Sequence, residues 1–455
     1  MSDSISEAFL LCGGRSERLG FPKEMLRVDG APLAVAMAAR LQRLFSSVAV
    51  VSNRPAYVEH CLKVPVYTDA FPGLGPLAGV HAGLTHSRSG SAFFLGCDMP
   101  LLPDEAIARV TAAASASSAD AVVARTPRGP EPLCGVYRKG LLPAVESRLL
   151  AGRELSIGEF LKDSGAQFVE FGWQEAQWFR DIDRPEDVSL LKEAFTEVEP
   201  LPVRRQPVTR FGGPPLAEDI VVEERPVALR VNGIHLVTIL CLPAALTELA
   251  AGYLSYLGLA GRWGDLKRIQ VDYEAGRVSA ELALDEDSLR SAVRLQISSS
   301  CGAGIYGPPL PHLTDAGDAG FRVRADHILD VLTKLRSMAP VFERTGATHQ
   351  AAFTDGQAVM HFYEDVGRHN AIDKVIGRAL MDGTDLTHGA LVATGRLNAE
   401  MVVKAVRQGI PVAATRSAVT GQALELAGAY GMTVVGFARA GRLNIYTSRH
   451  RVLPR

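Results

Sequence analysis

The first part of the chain alternates short apolar runs with amphipathic stretches. "AFLLC", "SVAVVSN", "SAFFLGCD" and "DAVVAR" are short and almost wholly apolar, which predicts buried strands. Between them, "LAVAMAARLQRLF" and "DEAIARVTAAA" carry a helical period. Strands alternating with helices imply βαβ units and a mainly parallel sheet. "DIDRPEDVSLLKEAF" closes this part, with Pro185 and acidic residues placed to start a final helix.

The periodicity stops at "EPLPVRRQPVTRFGGPP", which holds five prolines and predicts an extended tether. At about 3 Å per residue it would reach roughly 50 Å. Beyond it, "VALRVNGIHLVTILCL" alternates like two strands around the turn-forming Asn232-Gly233 pair. "PAALTELAAGYLSYLG", "HILDVLTKLRSM", "NAIDKVIGRALM" and "NAEMVVKAVRQG" predict helices, while "GALVAT", "PVAAT" and "MTVVGFA" predict strands. The expected division is residues 1–198, a proline-rich linker at 199–217, and residues 218–455.

Composition narrows the class without naming a function. A chain of 455 residues exceeds what one core usually organises. With 47% hydrophobic residues and a formal net charge of −2, nothing in the bulk charge favours nucleic acid. "MSDSISEAFLLCGG" is acidic where a signal peptide would be basic. The most apolar stretch, Val231 to Thr247, is interrupted by Asn232, His235 and Pro243 and is too short for a bilayer. Six cysteines without paired spacing suggest a reducing, cytoplasmic setting.

Candidate chemistry collects first at "LLCGGRSERLGFPKEML", where a strand runs into glycines and then basic residues. Glycines let backbone amides approach a phosphate, and Lys23 adds a positive charge. The spacing is neither a Walker A loop nor a dinucleotide fingerprint, so a plain strand-to-helix turn explains it about as well. "FLGCDMP" ends a strand on Asp98, at the sheet edge where open α/β folds bind ligands. "TDAFPGLGPLAGVHAGL" is a second glycine-rich loop, headed by Asp69 and leading into a helix.

Together these segments resemble the molybdenum cofactor guanylyltransferases, the MobA family, over roughly the first 190 residues. The family's L-A-G-G-x-S-x-R-M-G-x-x-K pattern stands here as Leu11-Cys12-Gly13-Gly14, Ser16, Arg18-Leu19-Gly20 and Lys23, with Cys12 and Leu19 as departures. Asn53, Asp69, Asp98, "GPLAG", "PLCGVYRKGL" and "FRDIDRPEDV" extend the resemblance. It implies a Rossmann-like nucleotidyltransferase domain that transfers GMP from GTP to the terminal phosphate of molybdopterin, releasing pyrophosphate. Leu11, Cys12, Gly13, Arg18 and Lys23 would then serve the GTP, Asn53 and Asp69 the nucleoside, and Asp98 a Mg²⁺ ion. The sister family that transfers cytosine nucleotides, or a sugar-phosphate nucleotidyltransferase, is the alternative. Asp181 and Asp183 could join the metal, but Asp183 three residues before Glu186 favours a helix cap.

The second collection is "FYEDVGRHNAIDKVIGRAL", with Glu364, Asp365, Arg368, His369, Asn370, Asp373 and Lys374 around one strand-to-helix junction. A solvated helix start explains some of these charges; helix-end amides with Arg368 would also suit an anion. "VVGFARAGRLNIYT" sets Arg439 and Arg442 at a strand end, as an exposed edge or as a clamp on a phosphorylated or aromatic ligand. In "QISSSCGAGIYGPP", Cys301 stands among serines, glycines and prolines, a setting suited to an exposed thiol.

With "EERPVALRVNG", "GIPVAATRSAVT" and "GFARAGRLNIYT", these segments are similar to FdhD, the formate dehydrogenase accessory family, over roughly residues 218 to 450. The resemblance implies a cytidine-deaminase-like α/β core, although the zinc deaminase signature is absent. It also implies sulfur carriage from a cysteine desulfurase to the guanylated molybdenum cofactor, for insertion into formate dehydrogenase. Phe437, Ala438, Arg439, Ala440, Gly441 and Arg442 would touch that cofactor, and a homodimer through this domain is among the assemblies it allows. Most relatives read S-S-S-C-G-x-C-G; Cys301 matches the first cysteine and Gly304 replaces the second. A two-thiol handoff within the loop is therefore excluded, and Cys301 alone would carry a persulfide. A cofactor-binding chaperone without sulfur transfer is the competing expectation. The expected whole is a bifunctional enzyme and sulfur carrier, with the tether raising the effective concentration for transfer.

Overall fold

The computed structural model describes residues 5–14, 16–151, 157–212, 217–284 and 320–454. They fall into two compact units, Met1–Val198 and Glu199–Arg455.

The first unit is built on a seven-stranded sheet in the order Val66–Tyr67, Ser47–Ser52, Glu7–Cys12, Ser91–Gly96, Gly129–Arg138, Ala121–Thr126, Gln167–Glu170. The strand Glu7–Cys12 lies in the middle of the parallel part, pairing Leu10 with Val50 on one side and Leu95 on the other. All six of its residues are buried, which explains a continuous apolar run in place of alternation. Helices Leu33–Leu44, Pro76–His86 and Asp104–Ser115 follow as the periodicity predicts. The expected final helix is a 3-10 segment, Pro185–Glu193. Three strands of this sheet were not anticipated: Val66–Tyr67, Gln167–Glu170 and the longest, Gly129–Arg138. Gly129–Arg138 runs antiparallel to both neighbours, and the two prolines in its first four residues give it the look of a loop. Only Cys134 to Tyr137 in that strand is fully buried.

The second unit takes in part of the proline-rich stretch. Val203–Pro207, inside the proline-rich stretch, pairs antiparallel with Glu218–Val222. Pro207 is the terminal residue of its strand, where a missing N–H is tolerated. Glu199 is buried and accepts a hydrogen bond from the Ala245 amide at 2.9 Å. A four-stranded sheet follows in the order Ile234–Cys241, Arg225–Val231, Arg277–Leu282, Leu266–Asp272. Its hairpin turns at Asn232 and Gly233, both at positive φ (47° and 82°), as a two-residue primed turn requires. The larger sheet has six strands in the order Val359–Asp365, His349–Thr354, Ala390–Ala393, Val412–Thr415, Thr433–Arg439, Arg442–Ile445.

Helix Leu246–Tyr256 packs on helix Arg368–Asp382, joining the layers of this unit. Two glycines set the spacing of that crossing. A Cβ on Gly252 would overlap the Asp373 carbonyl, and one on Gly377 would overlap the Glu248 carbonyl. Near the same crossing, Lys374 pairs with Asp365 and Lys404 with Asp373, each at 2.6 Å and with at most 1% of either side chain exposed. Breaking one partner of such a pair leaves a buried charge unmatched. Among the described residues no helix is long and apolar enough to cross a membrane.

Gly377→Ala should therefore destabilise the second unit by about 3 kcal/mol, because backbone and not a flexible side chain blocks the new methyl group. Chemical denaturation of the full chain measures this; a loss below about 0.5 kcal/mol would mean that the helices do not cross so closely.

Candidate functional site

In the first unit, three segments distant in sequence meet at the carboxyl edge of the sheet. The strand Glu7–Cys12 delivers the turn Gly13-Gly14, whose Gly14 has φ 123°, a conformation that L side chains rarely adopt. Ser16 at φ 45° and Gly20 at φ 81° turn the chain back, and the Gly20 amide donates to the Ser16 carbonyl at 2.9 Å. This loop leads to Lys23. The strand Ser91–Gly96 delivers Asp98, and the Cys97 amide donates to the Leu11 carbonyl at 3.0 Å, tying the two strand ends together. The third segment is Asp181-Ile182-Asp183, docked by the Ile182 amide on the Asp98 carbonyl at 3.0 Å.

Lys23 holds the cluster. Its Nζ donates to Asp98 Oδ2 at 3.0 Å and to Asp183 Oδ1. Burial works against the ammonium, but the Asp98 and Asp183 carboxylates hold its pKa above the ordinary lysine value. Arg18 lies 3.6 Å from Asp183 and is largely exposed. Burial, with the Asp98 charge beside it, pushes the Asp181 carboxyl up to about 7. Two carboxylates, Asp98 and Asp183, thus share one half-buried cation, with Asp181 close by, which leaves the site rich in hard oxygen donors.

The helix-cap expectation for Asp183 is corrected here. Asp187 performs the capping, its Oδ2 accepting from the Asp183 amide at 3.0 Å and the Arg184 amide at 2.8 Å. The Asp183 side chain faces Lys23 instead. Sequence reasoning could have found this. In D-I-D the central Ile182 is buried, and an extended backbone then puts both flanking carboxylates on the opposite side.

The other expected nucleotide residues sit nearby. Asn53 follows the strand Ser47–Ser52, and its Nδ2 lies in van der Waals range of the space a Cβ on Gly13 would occupy, 3.6 Å away. Helix Pro76–His86 begins at Gly75 (φ 80°) and packs Gly79 against the Leu11 side chain. Asp69 is buried, and its Oδ1 accepts from the Phe71 amide at 2.9 Å, so one oxygen is already committed to shaping its loop. Among the described residues no group of three or more His, Cys, Asp or Glu forms a ready metal cage. Mg²⁺ needs none, since it is commonly held by one or two carboxylates together with substrate phosphates. Asp98 and Asp183 fit that mode.

The five described cysteines are unpaired and unsuited to exposed thiol chemistry. A hydrogen bond to Cys97 and burial raise Cys12; burial raises Cys134, and pushes Cys61 up to about 11 and Cys241 up to about 12. Cys301 and Gly304 lie outside the described residues.

In the second unit, the strands Ala390–Ala393, Val412–Thr415 and Thr433–Arg439 run parallel, and Val359–Asp365 shares their direction through the antiparallel His349–Thr354. Arg368, Arg396, Arg416 and Arg439 therefore all come at or just beyond carboxyl ends on one edge of the sheet. The Arg396, Arg416, Arg439 and Arg442 residues are exposed. Phe437 (φ 50°), Ala440 (φ 51°) and Gly441 (φ 74°) make the Phe437–Arg442 turn an unusual concentration of left-handed backbone, the kind of strain found at ligand clamps. The Arg439 guanidinium sits 5.8 Å from the Phe437 ring centroid.

The charges of the G-R-H-N motif divide between framework and edge. Glu364 accepts from the Val341 and Phe342 amides, each at 2.8 Å, and from Thr348 Oγ1 at 2.6 Å. Asp365 accepts from the Leu242 and Gly367 amides and from Asn370 Nδ2. These residues build the fold. Burial lowers the pKa of His369, and Asn398 Nδ2 donates to its Nε2 at 3.1 Å.

The sequence matches two family models, "MobA-like NTP transferase domain" over residues 8–165 and "FdhD/NarQ family" over residues 222–453. The protein named sulfur carrier protein FdhD from Shouchella clausii is 33% identical over 250 residues, which cover 53% of this chain and 92% of that one. Its namesake from Wolinella succinogenes is 33% identical over 239 residues, covering 52% and 83%. The solved structure of molybdopterin-guanine dinucleotide biosynthesis protein A from Archaeoglobus fulgidus is 24% identical, covering 42% of this chain and 97% of that one with a TM-score of 0.36. The chain belongs to the FdhD/NarQ family through residues 222–453, and it carries ahead of that segment a MobA-like NTP transferase domain.

Proposed function

We propose that the chain is a bifunctional molybdenum cofactor maturation protein, cytoplasmic, with the functional division at residues 1–198 and 218–455 around a connecting segment at 199–217. The first part transfers GMP from GTP to molybdopterin. The second, with a cytidine-deaminase-like core, carries sulfur from a cysteine desulfurase to the guanylated product for formate dehydrogenase. The observation that carries the first part is the meeting of the glycine turn, Lys23, Asp98 and Asp183 at one sheet edge.

Nucleotidyl transfer needs little covalent work from protein; it needs position and charge balance. Gly13 and Gly14 let backbone amides approach the triphosphate, where a side chain would stand in the way. Lys23 is charged at any working pH and lies beside the expected path of the α-phosphate, with the exposed Arg18 further out. Asp98 and Asp183 would hold Mg²⁺, which supplies charge neutralisation for the transferring phosphoryl group and the leaving pyrophosphate. Asn53 and the backbone of Gly75 to Gly79 read the nucleoside.

In the second part, Phe437 to Arg442 bind the dinucleotide, Arg439 and Arg442 through its phosphates. Cys301 takes the outer sulfur of the desulfurase persulfide, forming its own S–S bond as the desulfurase thiolate leaves. The inert settings of Cys12, Cys61, Cys134 and Cys241 support assigning that role to Cys301. Gly304 in place of a second cysteine keeps the chaperone reading as the rival.

Incubation of purified protein with Mg²⁺, GTP and molybdopterin, followed by product analysis, should yield the guanine dinucleotide, with CTP used far less well. Asp98→Ala should lower turnover roughly 100-fold or more while leaving the thermal transition near wild type. Equal use of both nucleotides, or near-normal turnover of the variant, contradicts the proposal.

Desulfurase plus cysteine should add about 32 Da, one sulfur atom, and reductant should remove it. Cys301→Ser should abolish the adduct. Absence of any adduct on the wild type, with client activation intact in Cys301→Ser, would favour the chaperone.

A further inference from the structure

Helix Pro76–His86 contributes one side chain with no part in the proposed transfer reaction. His81 is only 8% exposed, and its Nδ1 is fully shielded from solvent without a hydrogen-bond partner among the described residues. Its ring meets the edge of Phe71 at a centroid distance of 5.1 Å and an interplanar angle of 83°. Phe71 is the residue whose amide is held by Asp69. His81 therefore stands under the glycine-rich segment Asp69 to Gly75 that leads into the helix, in contact with the residue around which that segment turns.

A buried nitrogen left without a partner destabilises the free protein, and an apolar residue of similar size would not. In the segment beside it, Gly73 (φ 86°) and Gly75 (φ 80°) hold left-handed backbone, and a Cβ at either would meet nothing within 4 Å, so no side chain of their own obstructs a small shift. We propose that His81 is a positioning residue for base recognition, whose Nδ1 bonds the Asp69–Gly75 segment only when a purine nucleotide occupies the site. The inference rests on the nucleotidyltransferase reading and deepens it. Binding energy from the base is then used to close an unsatisfied hydrogen bond, so a nucleotide that cannot seat the loop forfeits that gain.

The test uses the full chain, with thermal-shift titrations against GTP and CTP beside steady-state transfer kinetics. His81→Leu should leave the transition temperature of the free protein unchanged or raised. It should raise the KM for GTP about tenfold with little change in kcat, and shrink the preference for GTP over CTP by a similar factor. His81→Asn carries a polar atom near the place of Nδ1 and should restore most of the KM, whereas His81→Gln, which reaches toward the place of Nε2, should not. A His81→Leu protein with wild-type KM overturns the inference while leaving the transferase reading intact. So does a lowered transition temperature in all three variants with equal loss of kcat, which marks a purely structural histidine. Wild-type protein that neither nucleotide stabilises overturns the reading and the inference together.

Discussion

One ammonium group organises the first unit's site. Lys23 lies between Asp98 and Asp183, and each of the three comes from a different segment of the chain. The carboxylates face each other closely enough that burial and mutual repulsion hold the proton on Asp181 up to about pH 7. Without Lys23 the edge of the sheet would carry the charges of Asp98 and Asp183 unpaired beside the Gly13-Gly14 turn. The parallel strands Glu7–Cys12 and Ser91–Gly96, joined at their ends by the Cys97–Leu11 hydrogen bond, fix where that cation stands. On the proposed function, nucleotide entry would exchange one set of anionic partners for another, the charge balance that phosphoryl chemistry requires.

The second unit spends its charges differently. Asp365, Lys374, Asp373 and Lys404 are withdrawn from water into two ion pairs near a helix crossing that only glycine permits. Such pairs add less to stability than their Coulomb attraction suggests, but neither partner can be removed alone. They hold the helix Arg368–Asp382 in place, and its first residues reach the edge where Arg396, Arg416 and Arg439 are exposed. An internally neutral scaffold thus presents an edge at which, among the described residues, Arg396, Arg416 and Arg439 have no carboxylate ion-pair partner.

Much of this was legible in the sequence because burial and period are local. Fully apolar runs gave the parallel strands, and Asn232-Gly233 gave its hairpin turn. Three features resisted for physical reasons. Gly129–Arg138 begins with prolines, which an antiparallel strand accepts where its pairing is irregular, and the pairing register shifts near Val123 and Ala124. Val203–Pro207 finds its partner after an intervening segment, so its composition reads as tether while its hydrogen bonds make a hairpin. Helix Gly421–Ala429 opens on glycine and buries chiefly Ala423 and Ala427, too few large side chains for a clear period. At the sites, residue types were legible and their partners were not. Lys374 looks like a surface charge in the sequence, yet it is buried; Asp183 looks like a cap, yet Asp187 takes that place.

On the proposed function, one chain makes a dinucleotide at one site and holds it at another. Equilibrium binding of molybdopterin guanine dinucleotide to two full-length variants separates the two sites. Lys23→Met, which disables the first site, should still bind the dinucleotide. The double variant Arg439→Ala, Arg442→Ala should lose that binding while still releasing pyrophosphate from GTP and molybdopterin. Loss of dinucleotide binding in Lys23→Met with full binding by the double variant would contradict the two-site account.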